Sequence, residues 1–317
     1  MEGLFNDFYS NGALLILWAG LLVHRLLPLS REFHPTTIWR KFAIQLSNKV
    51  NTSTTASQAM LSGSLAWLLM MLPLFVVAIS LGNLAWYQEV FELTLLVFAL
   101  DWRNTDRFGK DFVTTLARED KTHGKILIQP LINRSTASLS MVGLGKAGSE
   151  TLIMSYGRNL VCVLFWYGLT GGVGAFLYRM AVELSRAWSP SRKQYSSFGQ
   201  MATRTVALTE LVPMRLFALL ITSGRRALAT IQLIKLQASS WPLPGPAWLM
   251  VSVGAKLQLS LGGPAIYDRH KSIRTKVGGR IAPSAIHVAQ VHQLLKQKCY
   301  LWVLAQSIIM GLVYQGL

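Results

Sequence analysis

Acidic residues are rare after Lys121, and their positions stand out. The rest of the sequence holds only four: Glu150, Glu183, Glu210 and Asp268. Carboxylates are costly in apolar surroundings, where they tend to be functional or paired. We therefore predict that Glu150, Glu183 and Glu210 bind a metal cation, and that Glu150 also takes part in catalysis. The alternative is that the three acids neutralise Arg158, Arg204 or Arg215 inside a helix bundle.

A second set of candidate residues lies around a glycine-rich segment. Leu261–Tyr267 reads Leu-Gly-Gly-Pro-Ala-Ile-Tyr, and it is preceded by the proline-rich stretch Pro244–Trp248. Because glycine has no side chain, Gly262 and Gly263 would let the backbone approach a bound ligand.

Two further patterns are less specific. Gly143–Gly148 matches G-x-G-x-x-G, but no apolar strand precedes it. This favours a glycine-rich turn that opens a helix at Ser149-Glu150 over a dinucleotide-binding fold. The basic stretch Arg269–Lys276, with Arg280, suits the phosphates of a nucleotide or corrinoid and, equally, anionic lipid headgroups. It has no interleaved aromatic residues, so nucleic acid is not an expected partner.

The elements that must position these residues are mostly apolar. Of 317 residues, 51% are hydrophobic and 14% are charged, whereas a typical soluble domain carries about 25% charged residues. This composition excludes an ordinary soluble enzyme and predicts an all-α, polytopic integral membrane protein with one domain over residues 1–317. About four spans are expected, with two more membrane-embedded helices that re-enter or cross as a pair. The spans are 13–29, 65–81, 90–100 and 300–317, and the embedded helices are 159–178 and 205–222.

Loop charges predict the orientation in the membrane. The net charge is +17, and residues 223–299 carry eleven basic residues against the single acid Asp268. Basic loops are retained in the cytoplasm, so this region faces the inside of a bacterial inner membrane. Simple alternation of spans would place the basic stretch 179–204 outside. For this reason 159–178 and 205–222 are predicted to be embedded, around a cavity that opens to the cytoplasm.

The glycine-rich segment resembles a signature of the CobD/CbiB family, the membrane-bound cobinamide-phosphate synthases of cobalamin biosynthesis. In that family serine-proline-asparagine leads to leucine-glycine-glycine-proline-x-x-tyrosine, and the spacing here agrees without a gap. The resemblance extends to Glu150, to the pair His34-Pro35 and to Pro213-x-Arg215. It implies ligation of a corrinoid carboxylate to an aminopropanol phosphate, with ATP and Mg²⁺ as cofactors and a corrinoid as ligand. It also implies that Arg215 takes part in catalysis by neutralising developing negative charge. The residues that the resemblance implies as binding a ligand or cofactor are Gly262, Gly263, Pro264, Tyr267 and Arg204.

Most acids of the family pattern are missing from this chain. Met154, Ser155 and Arg158 stand where the family has glutamate, asparagine and aspartate. Arg158 would place a positive charge where a cation should bind. The resemblance thus implies a corrinoid-binding membrane protein whose ligase activity is impaired by these losses. The alternative is a non-catalytic membrane sensor or regulator of the same superfamily, similar to the AmpE proteins.

Overall fold

The protein is described by a computed structural model that covers residues 12–27, 34–52, 55–224, 227–241, 243–267 and 270–314. The fold is predominantly α-helical, as predicted, and a single two-stranded hairpin accompanies the helices in the described residues. The helices are α1 (Ala13–Leu26), α2 (Pro35–Val50), α3 (Ala56–Leu84), α4 (Gln88–Ala99), α5 (Trp102–Ala117), α6 (Lys121–Ile128), α7 (Met141–Tyr156), α8 (Cys162–Ala187), α9 (Gln200–Thr222), α10 (Ala227–Gln237), α11 (Pro244–Lys256) and α12 (Ala285–Tyr314).

Helix starts follow local sequence signals. The His34 side chain accepts a hydrogen bond from the backbone N–H of Thr36, and Pro35 occupies the first turn of α2, where its missing N–H costs nothing. Ser140 accepts from the Gly143 N–H at 3.2 Å and caps α7. The glycine-rich stretch 143–148 is therefore helical, and the predicted turn before a helix at Ser149-Glu150 is wrong, because the Ser140 cap starts α7 at Met141.

Among the described residues, three helical segments are long and apolar enough to cross a membrane: Ala56–Leu84, Met141–Ala187 and Gln200–Thr222. The first and third contain the predicted segments 65–81 and 205–222. The helices at 13–29 and 90–100 are short, with 14 and 12 residues in α1 and α4. The last predicted span coincides with the end of α12, although its final three residues lie outside the described part. The predicted count of four spans plus two embedded helices is not confirmed.

The segment Met141–Ala187 comprises α7, a short π-helical turn and α8, and the chain reverses its direction within α8. Thr170 and Gly171 leave the helical conformation, and Gly171 has φ 70° and ψ −165°, a region that favours glycine. The side chains of Asn159 and Arg179 are hydrogen-bonded across this reversal although they lie 20 positions apart. A straight helix would separate them by about 30 Å. The predicted embedded helix 159–178 is therefore a helical hairpin whose two ends return to one place.

The two strands, β1 (Ser260–Tyr267) and β2 (His270–Gly278), form an antiparallel hairpin with an irregular register between Gly262 and Pro264. The hairpin packs against α11 and α7, and α11 packs along α9. Helix α12 packs against both α5 and α7. These contacts place the β-hairpin next to α7, which leads into the helical hairpin. The sequence pattern of neither segment predicts this contact.

Candidate functional site

Charged side chains from distant parts of the chain converge on a cavity of about 330 Å³. Its walls come from α7, the turn after α7, the C-terminal end of α8, the loop before α7, the region around the start of α11 and the β-hairpin. Four arginines line the cavity, and Glu150 is the one acid among the lining residues described. The polar and charged lining residues include Arg134, Glu150, Arg158, Asn159, Arg186, Tyr267 and Arg274.

Glu150 lies on α7 and is held by three groups. Its Oε1 accepts a hydrogen bond from the backbone N–H of Gly262 at 2.8 Å, and its Oε2 lies 3.0 Å from Nη1 of Arg274. Nη2 of Arg134 lies 3.4 Å from Oε2. Burial lowers the pKa of Arg134, and the neighbouring Glu150 carboxylate opposes this shift. Both carboxylate oxygens of Glu150 are therefore engaged within the protein.

The backbone of Gly262 approaches the Glu150 carboxylate because its conformation is accessible mainly to glycine. Its φ is 77°, and a Cβ at this position would lie 2.3 Å from the carbonyl oxygen of Thr275. The next residue, Gly263, accepts a hydrogen bond from Nε of Arg274 at 3.3 Å. The glycine pair is predicted to let the backbone approach a bound ligand, but the group that the Gly262 backbone approaches here is Glu150 of the same chain.

Helix α7 continues into a π-helical turn, Gly157–Val161, and this turn directs Arg158 and Asn159 toward the cavity. π-Turns are rare and occur frequently at functional sites. Arg158 pairs with Glu210 through two contacts, Nε to Oε1 at 2.6 Å and Nη2 to Oε2 at 3.1 Å. Glu210 is fully buried and also accepts a hydrogen bond from the Tyr178 hydroxyl at 3.2 Å. Arg158 thus separates the Glu210 carboxylate from the cavity.

Glu183 belongs to a second ion-pair network. Its Oε1 lies 3.2 Å from Nη2 of Arg179 and 3.6 Å from Nη1 of Arg186, a residue of the cavity wall. Arg179 also contacts Asp101 at 3.3 Å and donates to Asn159. Glu150 therefore lines the cavity, whereas Glu183 and Glu210 each pair with an arginine of its wall, Arg186 and Arg158 respectively.

The other predicted site residues are placed less uniformly. Tyr267 lines the cavity, whereas Gly263 and Pro264 lie on β1 behind it. Arg215 contacts the face of the Trp248 ring, with its guanidinium carbon 5.1 Å from the ring centroid. Arg204 is exposed on α9. Neither of these two arginines is among the cavity-lining residues.

The arrangement does not fit the magnesium site that the family resemblance implies. Magnesium requires carboxylate or other oxygen ligands in a near-octahedral arrangement. In the described residues no group of three or more His, Cys, Asp and Glu side chains is placed to hold a metal ion. Each of the predicted ligands Glu150, Glu183 and Glu210 is instead paired with arginine, and of the partners that the alternative interpretation names only Arg158 is found, paired with Glu210.

Several cavity residues were not singled out from the sequence. Arg274 is one member of the basic stretch Arg269–Lys276, which suits phosphates, and Arg134 and Arg186 belong to no recognisable motif. A count of charges would have indicated them, because the region after Lys121 has far more arginines than acids to pair with. The partner of each acid depends on long-range packing: Glu150 and Arg274 are 124 positions apart.

Comparison with known proteins gives a consistent assignment. The family described as CobD/Cbib protein matches residues 17–296 of the chain. The Cobalamin biosynthesis protein CobD of Stutzerimonas stutzeri is 27% identical over 285 residues, which cover 90% of this chain and 93% of that protein. The protein of the same name from Chromobacterium violaceum is 24% identical over 307 residues, covering 95% and 98%.

A third relative is more distant. The Cobalamin biosynthesis protein CbiB of Salmonella paratyphi A is 23% identical over 187 residues, which cover 57% of this chain and 59% of that protein. No solved structure matches the chain.

Proposed function

This chain belongs to the CobD/CbiB family, and we propose that it acts in cobalamin biosynthesis as a membrane protein that binds an anionic corrinoid or nucleotide. The binding site is the arginine-lined cavity. The activity that the family resemblance implies is amide ligation of a corrinoid carboxylate, as in adenosylcobinamide-phosphate synthesis with ATP and Mg²⁺.

One observation carries this proposal: Arg134, Arg158, Arg186 and Arg274 face one cavity in which Glu150 is the lining acid. Guanidinium groups suit carboxylates and phosphates because their planar N–H donors match two oxygens at once. Both candidate ligands carry such groups. The volume of about 330 Å³ is at the small end for ligand pockets. The cavity accordingly receives a phosphate or an acidic arm, and the corrin ring stays outside it.

The chain's own residues can bind and orient such a ligand more readily than they can assist metal-dependent chemistry. The arginines would stabilise negative charge on a carboxylate or on a phosphate that leaves it. Glu150, Glu183 and Glu210 are held by arginines, so none is free to orient a cation in the described arrangement. We therefore propose that ligation is impaired while binding is retained.

The same ion pairs favour a second candidate function, a non-catalytic sensor or regulator similar to the AmpE proteins. A sensor needs ligand binding but no free catalytic carboxylate. The two proposals differ in turnover: a weakened ligase forms some amide product from adenosylcobyric acid, and a sensor forms none.

We further propose that the cavity opens to the cytoplasm of a bacterial inner membrane, and that the helical hairpin at 159–178 enters the bilayer and returns on the same side. The contact between Asn159 and Arg179 supports the return. The reversal at Thr170 and Gly171 would form the membrane-embedded tip. A Ser189→Cys variant is expected to resist a membrane-impermeant thiol reagent added from the periplasmic side, and labelling from that side would contradict this topology.

Binding to the purified full-length protein tests the proposed function. We expect adenosylcobyric acid or ATP to bind, and Arg186→Gln to weaken the binding of that ligand about tenfold, the scale of one lost charge-assisted contact. Arg118→Gln removes the same charge from an exposed position outside the cavity and should leave binding unchanged. Failure to bind either compound, with or without magnesium, would refute the proposal.

A further inference from the structure

A second charged cavity, of about 190 Å³, lies between α1, α5 and α12, away from the arginine-lined cavity. The two cavities share no lining residue. Four cationic side chains, Arg25, Arg103, Lys110 and Lys296, line this second cavity, and Asp106 is the one acid among its described lining residues. The cavity therefore carries an excess of positive charge.

The one lining carboxylate is already shared among several neighbours. Asp106 lies 2.8 Å from Nζ of Lys110, 3.7 Å from Nζ of Lys296 and 3.0 Å from Nε2 of His292. Asp101, the residue just before α5, contacts Arg179 and accepts a hydrogen bond from Asn104. Neither carboxylate balances Arg25 or Arg103 through a contact in the described residues.

Two buried nitrogen atoms at this cavity also lack a hydrogen-bond partner in the described residues. His24 is 8% exposed, and its Nε2 accepts a hydrogen bond from the Arg103 N–H at 3.3 Å. Within the part of the chain that the structure describes, Nδ1 of His24 and Nη1 of Arg103 have no hydrogen-bond partner. Buried polar groups without a partner are uncommon, and these two leave hydrogen-bonding capacity unused in the wall of the cavity.

The position of the cavity identifies the kind of ligand. His24 and Arg25 lie in the last turn of the apolar helix α1, and Trp102 begins α5 directly after the apolar helix α4. In α12, Lys296 precedes Tyr300, where the predicted apolar segment of that helix begins. All three elements thus change from apolar to charged at one level, which marks a membrane–water boundary.

The aromatic side chains agree with this placement. The rings of Trp102 and Tyr300 contact each other edge to face with centroids 5.3 Å apart, and Arg25 donates to the Tyr300 hydroxyl at 3.4 Å. Trp and Tyr are enriched at the headgroup level of membranes. Basic pockets between membrane helices on the cytoplasmic side are typical sites for anionic lipid headgroups.

We propose that this cavity binds the phosphate group of an anionic phospholipid, with Arg25, Arg103 and Lys296 around the phosphate and Trp102 and Tyr300 at the glycerol level. A soluble phosphate ester offers the same oxygens. The boundary position of the cavity favours the lipid, because the acyl chains can extend along the apolar parts of α1 and α12.

Native mass spectrometry of the full-length protein in detergent tests the proposal. The probes are short-chain phosphatidylglycerol, phosphatidylcholine with matched acyl chains, and glycerol phosphate without acyl chains. We expect one phosphatidylglycerol to be retained in preference to phosphatidylcholine. Arg25→Gln with Lys296→Gln should lower the apparent affinity about tenfold, because two charges near the phosphate are removed. Both side chains are at least partly exposed, so the fold should tolerate the changes.

The matched control is Arg118→Gln with Lys121→Gln, which removes two exposed cations outside both cavities. It should leave retention unchanged. Arg103→Gln, tested separately, should weaken retention by a similar factor through a different side chain. Equal retention of the two lipids would overturn the proposal, as would cavity variants that behave like the control. Displacement of the lipid by glycerol phosphate would assign the site to soluble phosphate and would also overturn it. Corrinoid or ATP binding is measured independently, so the proposed function stands or fails separately.

Discussion

Arg158 and Glu210 form a two-pronged ion pair at the wall of the arginine-lined cavity, with Nε to Oε1 at 2.6 Å and Nη2 to Oε2 at 3.1 Å. Glu210 is fully buried, whereas the Arg158 side chain is 23% exposed. Arg158 lines the cavity, and its charge neutralises Glu210, an acid that the sequence predicts to bind a metal cation.

The Arg158–Glu210 pair predicts a large stability effect. Arg158→Gln leaves a buried carboxylate without its counter-ion, and breaking a buried pair in this way costs about 3–5 kcal/mol. The double variant Arg158→Gln with Glu210→Gln removes both charges and should recover much of the loss. Thermal unfolding of the purified protein in detergent measures both. A double variant no more stable than the single Arg158→Gln variant would show that the pair is not coupled as described.

Gly262 and Gly263 give a matched test of the backbone approach to Glu150. Gly262→Ala should destabilise the protein by at least about 2 kcal/mol, because positive φ and a Cβ 2.3 Å from the Thr275 carbonyl oxygen act together. Gly263→Ala also has positive φ, but its nearest atoms lie 3.8 Å away, so about 1 kcal/mol is expected. Unfolding temperatures compare the two, and equal losses would contradict the close contact at Gly262.

The sequence predicts parts of this fold well because those parts depend on local patterns. The apolar run 65–81 lies inside α3, and the apolar run 205–222 lies inside α9. The β-hairpin at 260–278 was not predicted, since its basic second strand has no apolar alternation to indicate a strand. The reversal at Thr170 and Gly171 was anticipated only as irregular backbone in a glycine-rich segment.

The sequence singles out several residues that lie at the cavity, but it does not predict the ion pairs that they form. Glu150 and Tyr267 line the cavity, and Glu183 and Glu210 lie behind arginines of its wall. What the residue types could not indicate is which charge each acid meets. That choice depends on helices that cross far apart in the chain, and the same carboxylate can hold a cation or neutralise a guanidinium.

Glu150 provides a test of the cavity's charge. Glu150→Gln removes an internal anion that competes for Arg134 and Arg274, so a negatively charged ligand should bind more tightly. For ATP without magnesium we expect a gain of roughly three- to tenfold, the scale of one partly buried charge. Isothermal titration of the variant measures it, with the exposed Glu119→Gln as control. Weaker binding would instead indicate that the carboxylate assists the ligand, as the predicted metal-binding role requires.

His292 and Asp106 predict a pH dependence of stability. Burial lowers the pKa of His292 below its ordinary value of 6.5, and Asp106, 3.0 Å away, opposes this shift without reversing it. Between the lowered pKa and 6.5 the folded state therefore binds fewer protons than the unfolded chain, so stability rises with pH across that window. Burial alone would raise the pKa of Asp106, but the hydrogen bond and charge of Lys110, with other cations, lower it below 3.8. Its contribution is lost only at more acidic pH.

We therefore expect the unfolding temperature to fall between pH 7.5 and pH 5.5, and His292→Gln to reduce that fall because glutamine does not titrate there. The fall caused by one shifted histidine is at most about 1–2 kcal/mol. His123→Gln, which changes an exposed histidine on α6, is the control and should leave the pH dependence as it is. The comparison requires thermal unfolding at the two pH values for the three proteins. The assignment to His292 is wrong if His123→Gln reduces the fall as much as His292→Gln does.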